Sequence, residues 1–366
     1  MSSATPAATE SRLRRALAAF PIIALAALMT RAMAMGEPIG PVLAGILESS
    51  RFTATGGVDV AIINEFYGIR ILDEIFAHIT VAFAQLQFFT DPRAYWHSLI
   101  FLTDFAAMYA VFLVESYRPA NKFLLLRFPS IICFLSQLFG IGVLAPVYFY
   151  SFYIVTPSYK LMTPSAHLPG MAPCLAILPT LALGYYSSHF PSFLHSSLEA
   201  RHWWNWIWQL FPVWGSLVMV ILSNIMPTGN HQRANDSSAI LRVLRPTVLV
   251  IGLVSTATYW YTLSQLEYPL SEILVPQYLV ASPTEPEVCL RTIIQYDCIC
   301  SFSAGFMWLA YQFRDLDKAG VCAVPWIRSL LVAAVLGCIF GPGTLFIGVW
   351  LLKEEVMASH RSMKKA

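Results

Sequence analysis

Long apolar runs recur along the whole chain, broken by short polar or Pro/Gly-rich connections. A run of about 20 apolar residues is long enough to cross a bilayer as a helix. Runs of that kind lie at about 16–35, 71–89, 95–115, 123–153, 172–190, 204–226, 242–264, 290–313 and 326–352. The pattern predicts an all-α polytopic integral membrane helical bundle with nine transmembrane helices, or eight if the first is peripheral. It divides the chain into a disordered N-terminal tail (1–14), a single transmembrane bundle (15–355) and a basic C-terminal tail (356–366). The first run follows Arg12, Arg14 and Arg15 and has the shape of a signal peptide or an Arg-rich transit peptide. Glu10 and the many runs behind it favour a retained helix. No internal repeat or coiled-coil heptad stands out.

Composition sharpens this picture. The 366 residues are 57% hydrophobic and 12% charged, with a mean hydropathy of +0.61. A soluble domain carries about 25% charged residues, so the bilayer is the expected surrounding and the endoplasmic reticulum the expected membrane. A formal net charge of +2 is too small to suggest nucleic acid as a partner. The seven cysteines form no C-x-x-C pair, and Cys298 and Cys300 have no histidine cluster beside them, so no metal site is expected. Lysine and arginine divide evenly between the two sides of a nine-helix arrangement, which leaves the overall orientation open. Locally, the loops around Arg233, Arg242 and Arg245, and around Arg314, Lys318 and Arg328, read as cytosolic, with which the basic C-terminal tail conflicts. The connection with Glu267, Glu272, Glu285 and Glu287 reads as lumenal.

Carboxylates inside the apolar runs carry the candidate chemistry. A charge deep in hydrocarbon costs about 3 kcal/mol or more, so it faces a bundle interior, pairs, or works on a substrate. Glu74, His78, Val81 and Gln85 share one helix face, with Asp73 one position round. Arg70 beside them allows the plainer reading of a helix end at headgroup level. Asp104, Met108, Val111 and Glu115 share a face of the next run; Glu115 stands three residues before Arg118, which fits an ion pair. Asp104 has no basic neighbour on its own helix. Asp297 shares a face with Ser301 and Trp308, beside Gln295 and Tyr296. A carboxyl among aromatic rings suits cation chemistry, or else a helix–helix hydrogen bond.

Other chemistries are disfavoured. The sequence has no D-D-x-x-D or N-D-x-x-D motif for magnesium and diphosphate; Arg314-Asp315-Leu316-Asp317-Lys318 is the nearest stretch and reads as a solvated loop. G-x-S-x-G, H-E-x-x-H and P-loop motifs are absent.

Four short motifs carry a family resemblance. They are Tyr67-Gly68-Ile69 with Leu72-Asp73, then Glu115-Ser116-Tyr117-Arg118-Pro119-Ala120-Asn121-Lys122, then Gly140-Ile141-Gly142 with Pro146 and Tyr148-Phe149, and last Phe340-Gly341-Pro342-Gly343 with Trp350 and Lys353-Glu354-Glu355. Over about residues 60–355 the chain resembles fungal membrane-bound terpene cyclases of the ascochlorin, ascofuranone and macrophorin type. The resemblance implies protonation-initiated, metal-independent and non-redox cyclisation of a farnesyl-type chain in meroterpenoid or terpenoid biosynthesis, with no cofactor. Asp73, Glu115, Arg118 and Asn121 lie on its motifs; Glu74, Asp104 and Asp297 come from the helix-face reading.

The expected function is therefore a terpene cyclase. Asp73, Glu74 or Asp104 would be the acid, Asp297 or Glu115 would orient it or take the last proton, and His78 is a candidate base or only a hydrogen-bond partner. Glu115, Arg118, Asn121, Tyr67 and Trp308 are the candidate substrate-binding residues. The expected partners are a hydrophobic prenylated small molecule, the lipid bilayer and other enzymes of the same pathway. A proton-coupled transporter and a non-catalytic scaffold of a biosynthetic cluster are the alternatives.

Overall fold

A computed structural model of the chain describes residues 10–54, 57–121, 127–156, 164–226, 236–279 and 281–363. Lys122, most of the 227–241 loop with Arg233, and Lys364 and Lys365 lie outside the described residues, as do residues 1–9. The first part runs α1 (Arg12–Ala18), α2 (Phe20–Met33), α3 (Ile39–Ser49), strands β1 (Arg51–Ala54) and β2 (Val58–Ala61), then α4 (Arg70–Gln87) and α5 (Pro92–Ser116). It continues through α6 (Pro129–Phe139), α7 (Ile141–Val155), α8 (Pro164–His167), α9 (Met171–Leu181), α10 (Ser187–Leu194), α11 (Leu198–Gln209) and α12 (Phe211–Ile225). The rest is α13 (Ser237–Gln265), α14 (Leu270–Leu274), α15 (Pro286–Lys318), α16 (Trp326–Phe340) and α17 (Pro342–Met363).

The bundle is organised around α5, whose residues from Ala94 to Ser116 are all buried. Asp91 caps its start by accepting the Arg93 amide hydrogen at 3.0 Å, with Pro92 in the first turn, where a missing N–H costs nothing. Helices α9, α13, α15 and α17 pack on α5, while α2 and α7 pack on the far side of α15. A hairpin interrupts the helical pattern: β1 and β2 pair antiparallel with Phe52 opposite Val60. Its alternation turns Phe52, Ala54 and Val60 inward against Val81, Ala84 and Phe88 of α4 and its end.

The span count differs from the expectation of eight or nine. Among the described residues three helices, α5, α13 and α15, are long and apolar enough to cross a membrane; the number rises to five if each of two bent pairs is one span. Those pairs are α1 with Phe20–Gly36, bent by 51°, and α11 with α12, bent by 59°. Apolar composition continues through positions where the backbone cannot stay helical. The run at 123–153 breaks at Gly140 (φ 78°) and that at 326–352 at Gly341 (φ 83°), left-handed conformations that favour glycine. The run at 172–190 keeps a helical backbone, but Pro179 and a π turn at Ala182–Tyr186 divide it into α9 and α10. The run at 71–89 begins with Arg70, Asp73 and Glu74 in its first turns.

Candidate functional site

The most concentrated chemistry lies where the end of α5 meets the second half of α17. Glu115, Arg118, His167, Lys353 and Glu354 are all buried there. Arg118 Nε lies 2.7 Å from Glu115 Oε2, and its Nη2 lies 2.8 Å from Glu354 Oε1. Nη1 donates to the His167 carbonyl at 2.6 Å. Lys353 Nζ stands 3.0 Å from Glu354 Oε1 and 3.5 Å from Glu115 Oε1. Trp350 Nε1 donates to Glu115 Oε1 at 3.1 Å, and Asn121 Nδ2 donates to the Glu115 carbonyl at 2.8 Å. His167 Nε2 is 2.6 Å from Glu354 Oε2. Burial foremost, then the Arg118 charge, push the His167 imidazole down to about 4, although Glu354 pulls the other way. The ring is then neutral at neutral pH and donates Nε2–H to Glu354. Two carboxylates thus face two cations, and the cluster balances its own charge.

A cavity of about 510 Å³ opens beside this cluster. Ser116, Tyr117, Arg118 and Arg127 line its polar side, and Leu113, Phe128, Met219 and Val220 are among its apolar lining. Its lining suits an apolar molecule carrying a polar end.

The other expected site residues separate into local roles. Asp73 Oδ1 accepts the amide hydrogens of Phe66 at 3.0 Å and Tyr67 at 2.8 Å, tying the preceding loop to α4. Tyr67 donates its phenol to the Trp206 carbonyl at 2.5 Å; burial and then the Asp73 charge hold that phenol protonated above its ordinary range. Glu74 is exposed and pairs with Arg70 at 2.6 Å, and His78 is exposed one turn on. Neither Asp73 nor Glu74 has a described contact with Asp104. The candidate acids of α4 and α5 therefore do not share a described contact.

Asp104 and Asp297 each hold the start of another helix. Asp104 accepts the Ser255 hydroxyl hydrogen and, at 3.1 Å, the Gly343 amide hydrogen in the first turn of α17. Asp297 accepts the Gly142 amide hydrogen at 2.5 Å in the first turn of α7. A helix start exposes unpaired N–H groups and positive dipole, so a carboxylate there satisfies both. Trp308 is fully buried, stacked on Phe149 with centroids 4.8 Å apart, and Lys353 Nζ sits 5.3 Å from its ring centroid.

Sequence reasoning found Glu115, Arg118 and Asn121 but gave no site role to His167, Lys353 or Glu354. The one signal for them was Lys353-Glu354-Glu355 directly after an apolar run, a charge triplet where the helix is still buried. Among the described residues, no group of three or more His, Cys, Asp or Glu is placed to hold a metal ion.

Comparison with known proteins corrects the functional expectation. The chain is 26% identical over 358 residues to the FAD-dependent monooxygenase verC1 of Penicillium polonicum, covering 96% of this chain and 44% of that protein. It is 28% identical to the FAD-dependent monooxygenase anuJ of Penicillium roqueforti, over 83% of this chain and 37% of that one. The FAD-dependent monooxygenase BOA8 of Botryotinia fuckeliana is 26% identical over 68% of this chain and 32% of its own length. The chain thus spans less than half the length of these relatives. No solved structure matches. The relatives are FAD-dependent monooxygenases, which overturns the terpene-cyclase resemblance, the isomerase or lyase assignment and the non-redox mechanism; the transporter and scaffold alternatives find no support in them either.

The described residues do not form a dinucleotide cradle of the strand, glycine-loop and helix type. The nearest approach to a dinucleotide fingerprint is Gly140-Ile141-Gly142-Val143-Leu144-Ala145, of the form G-x-G-x-x-A. That fingerprint needs a preceding parallel strand and a free helix start for the pyrophosphate. Here helix α6 precedes it, and Asp297 already occupies the start of α7. A Cβ on Gly140 would lie 2.8 Å from Asp297 Oδ1 and 3.2 Å from Met29 Cε, so no space remains for a phosphate. The two-stranded antiparallel hairpin offers no alternative. What the comparison does establish is the lineage of the helical bundle itself: the CtvD domain family matches residues 18–358, and the chain belongs to it.

Proposed function

We propose that this chain is the membrane-embedded, substrate-holding module of an FAD-dependent monooxygenase system. One observation carries the reading. Between 68% and 96% of the chain matches less than half of each relative, and the described residues hold no dinucleotide cradle of the strand, glycine-loop and helix type. The redox group then belongs to a separate unit, and this chain contributes apolar burial and orientation. FAD, when bound to that unit, supplies the oxygen-transfer chemistry. The cavity beside Arg118 holds an apolar substrate by Leu113, Phe128, Met219 and Val220, with its polar end toward Ser116 and Arg127. The helices among the described residues that are long and apolar enough to cross a membrane would give a greasy substrate access from the bilayer, and the endoplasmic reticulum is the membrane we propose.

A chimera tests this. The segment of verC1 that matches this chain is replaced by the chain, and products are compared by mass. The reading expects a product heavier by one oxygen atom. Met219→Trp or Val220→Trp, which fill the cavity, should lower that product about tenfold or more at unchanged flavin content. Unaltered turnover in both variants would remove the cavity from the account.

A further inference from the structure

We infer that the bundle core is built from two copies of one helical unit, and that each copy's aspartate secures the broken helix of the other. The first copy is α2, α5 and the pair α6–α7. The second is α13, α15 and the pair α16–α17.

The local sequences correspond. Helix α5 is preceded by Thr90-Asp91-Pro92 and α15 by Thr284-Glu285-Pro286. In both, the acidic residue is the N-cap in extended conformation and proline opens the helix. Asp104 lies 12 residues after its proline and Asp297 lies 11 after its own. The broken pairs share Phe-Gly-x-Gly: Phe139-Gly140-Ile141-Gly142 and Phe340-Gly341-Pro342-Gly343. The first glycine of each has a left-handed φ with extended ψ, 78° and 143° at Gly140 and 83° and 162° at Gly341. The second glycine donates its amide hydrogen to an aspartate, and there the copies cross over. Gly142 of the first copy binds Asp297 of the second, and Gly343 of the second binds Asp104 of the first.

A second tie repeats the exchange at the opposite end. Tyr153 and Glu354 each lie 11 residues beyond the second glycine. Arg314, at the end of α15, donates to Tyr153 Oη at 2.5 Å; Arg118, just past the end of α5, donates to Glu354 at 2.8 Å. The third helix of each copy packs against the same two neighbours, α2 on α7 and α15, and α13 on α17 and α5. Arg291 near the start of α15 reaches Asp91 at the start of α5 at 2.6 Å, so the two aspartate helices run the same way. A parallel repeat about an axis between α5 and α15 produces all of these pairings at once.

The exchange makes Asp104 and Asp297 positioning residues. Each joins two copies distant in sequence by satisfying a helix start inside an apolar core, where an unmet N–H is expensive. Close approach is required as well. A Cβ on Gly343 would fall 2.7 Å from Asp104 Cβ, and one on Gly142 would fall 3.0 Å from Asp297 Cα.

Double-variant cycles in the full chain test the exchange. Asp104→Asn with Gly343→Ala, and Asp297→Asn with Gly142→Ala, should each change folded yield by about twofold or more from the product of the single effects, because the two residues touch. Asp104→Asn with Gly142→Ala, and Asp297→Asn with Gly343→Ala, should give the product. Coupling in the second set, or simple products in the first, would overturn the inference. Single variants separate the hydrogen bond from the rest of the fold. Asparagine caps a helix start about as well as aspartate, so Asp104→Asn and Asp297→Asn should keep folded yield within about twofold of the parent. Leucine, which cannot accept the hydrogen bond, should reduce yield about tenfold at both positions. Asparagine failing as badly as leucine, or leucine being tolerated at either position, would refute the shared role.

Discussion

Glu115 sits where its loss would leave Arg118 and Lys353 facing Glu354 alone. A buried charge stripped of its partner costs about 3–5 kcal/mol. Glu115→Gln should therefore cut the monodisperse fraction on size-exclusion chromatography sharply, and normal yield would show that the cluster is not a clamp. His167 makes the same cluster sensitive to acid. Its folded value of about 4 lies below the ordinary histidine value of about 6.5, so the unfolded chain binds the proton first as pH falls. The contribution of His167 is complete above pH about 6.5 and is lost as pH drops toward 4. Thermal unfolding at pH 7.5 and pH 5 should show this loss, and His167→Gln should flatten it. Glu115 and Arg118 were legible as an ion pair from their i,i+3 spacing. His167 and Glu354 were not, because only tertiary packing brings α8 and α17 to the end of α5.

At the scale of elements, the breaks at Gly140 and Gly341 shape the core more than the hydrophobic runs do. Both lie inside stretches that read as single spans, because apolar composition does not record a left-handed φ. The Gly341-Pro342-Gly343 sequence hints at its break, whereas Gly140-Ile141-Gly142 resembles ordinary small residues in a membrane helix. Gly343→Ala would drive a Cβ to 2.6 Å from the Asp104 carboxyl carbon and should destabilise by about 1–3 kcal/mol. Gly348, further along α17, has open space within 4 Å of where a Cβ would stand and should accept alanine with a gain of about 0.5–1 kcal/mol. Melting temperatures of the two variants compare these directly. Equal effects would mean that the Asp104 contact does not constrain the helix start. The polar stripe of α4 was legible only as a pattern: Val81 and Gln85 are buried but Glu74 and His78 face outward, because the hairpin and α11 pack along a different part of that helix.

For the whole molecule, composition disclosed a helical chain with helices long and apolar enough to cross a membrane, and little about its chemistry. Buried carboxylates invite an acid role, yet the same residue type also serves as a helix cap at Asp104 and Asp297 and as an ion-pair clamp at Glu115. Those roles differ only in what the side chain meets across the bundle. The partial coverage of the relatives and the lack of a dinucleotide cradle of the strand, glycine-loop and helix type among the described residues together place the redox group on another unit in our account. Flavin stoichiometry of the purified 366-residue chain, measured after incubation with FAD and removal of excess, tests this most directly. The account predicts no stoichiometric flavin on well-folded protein. One flavin retained per chain would contradict it.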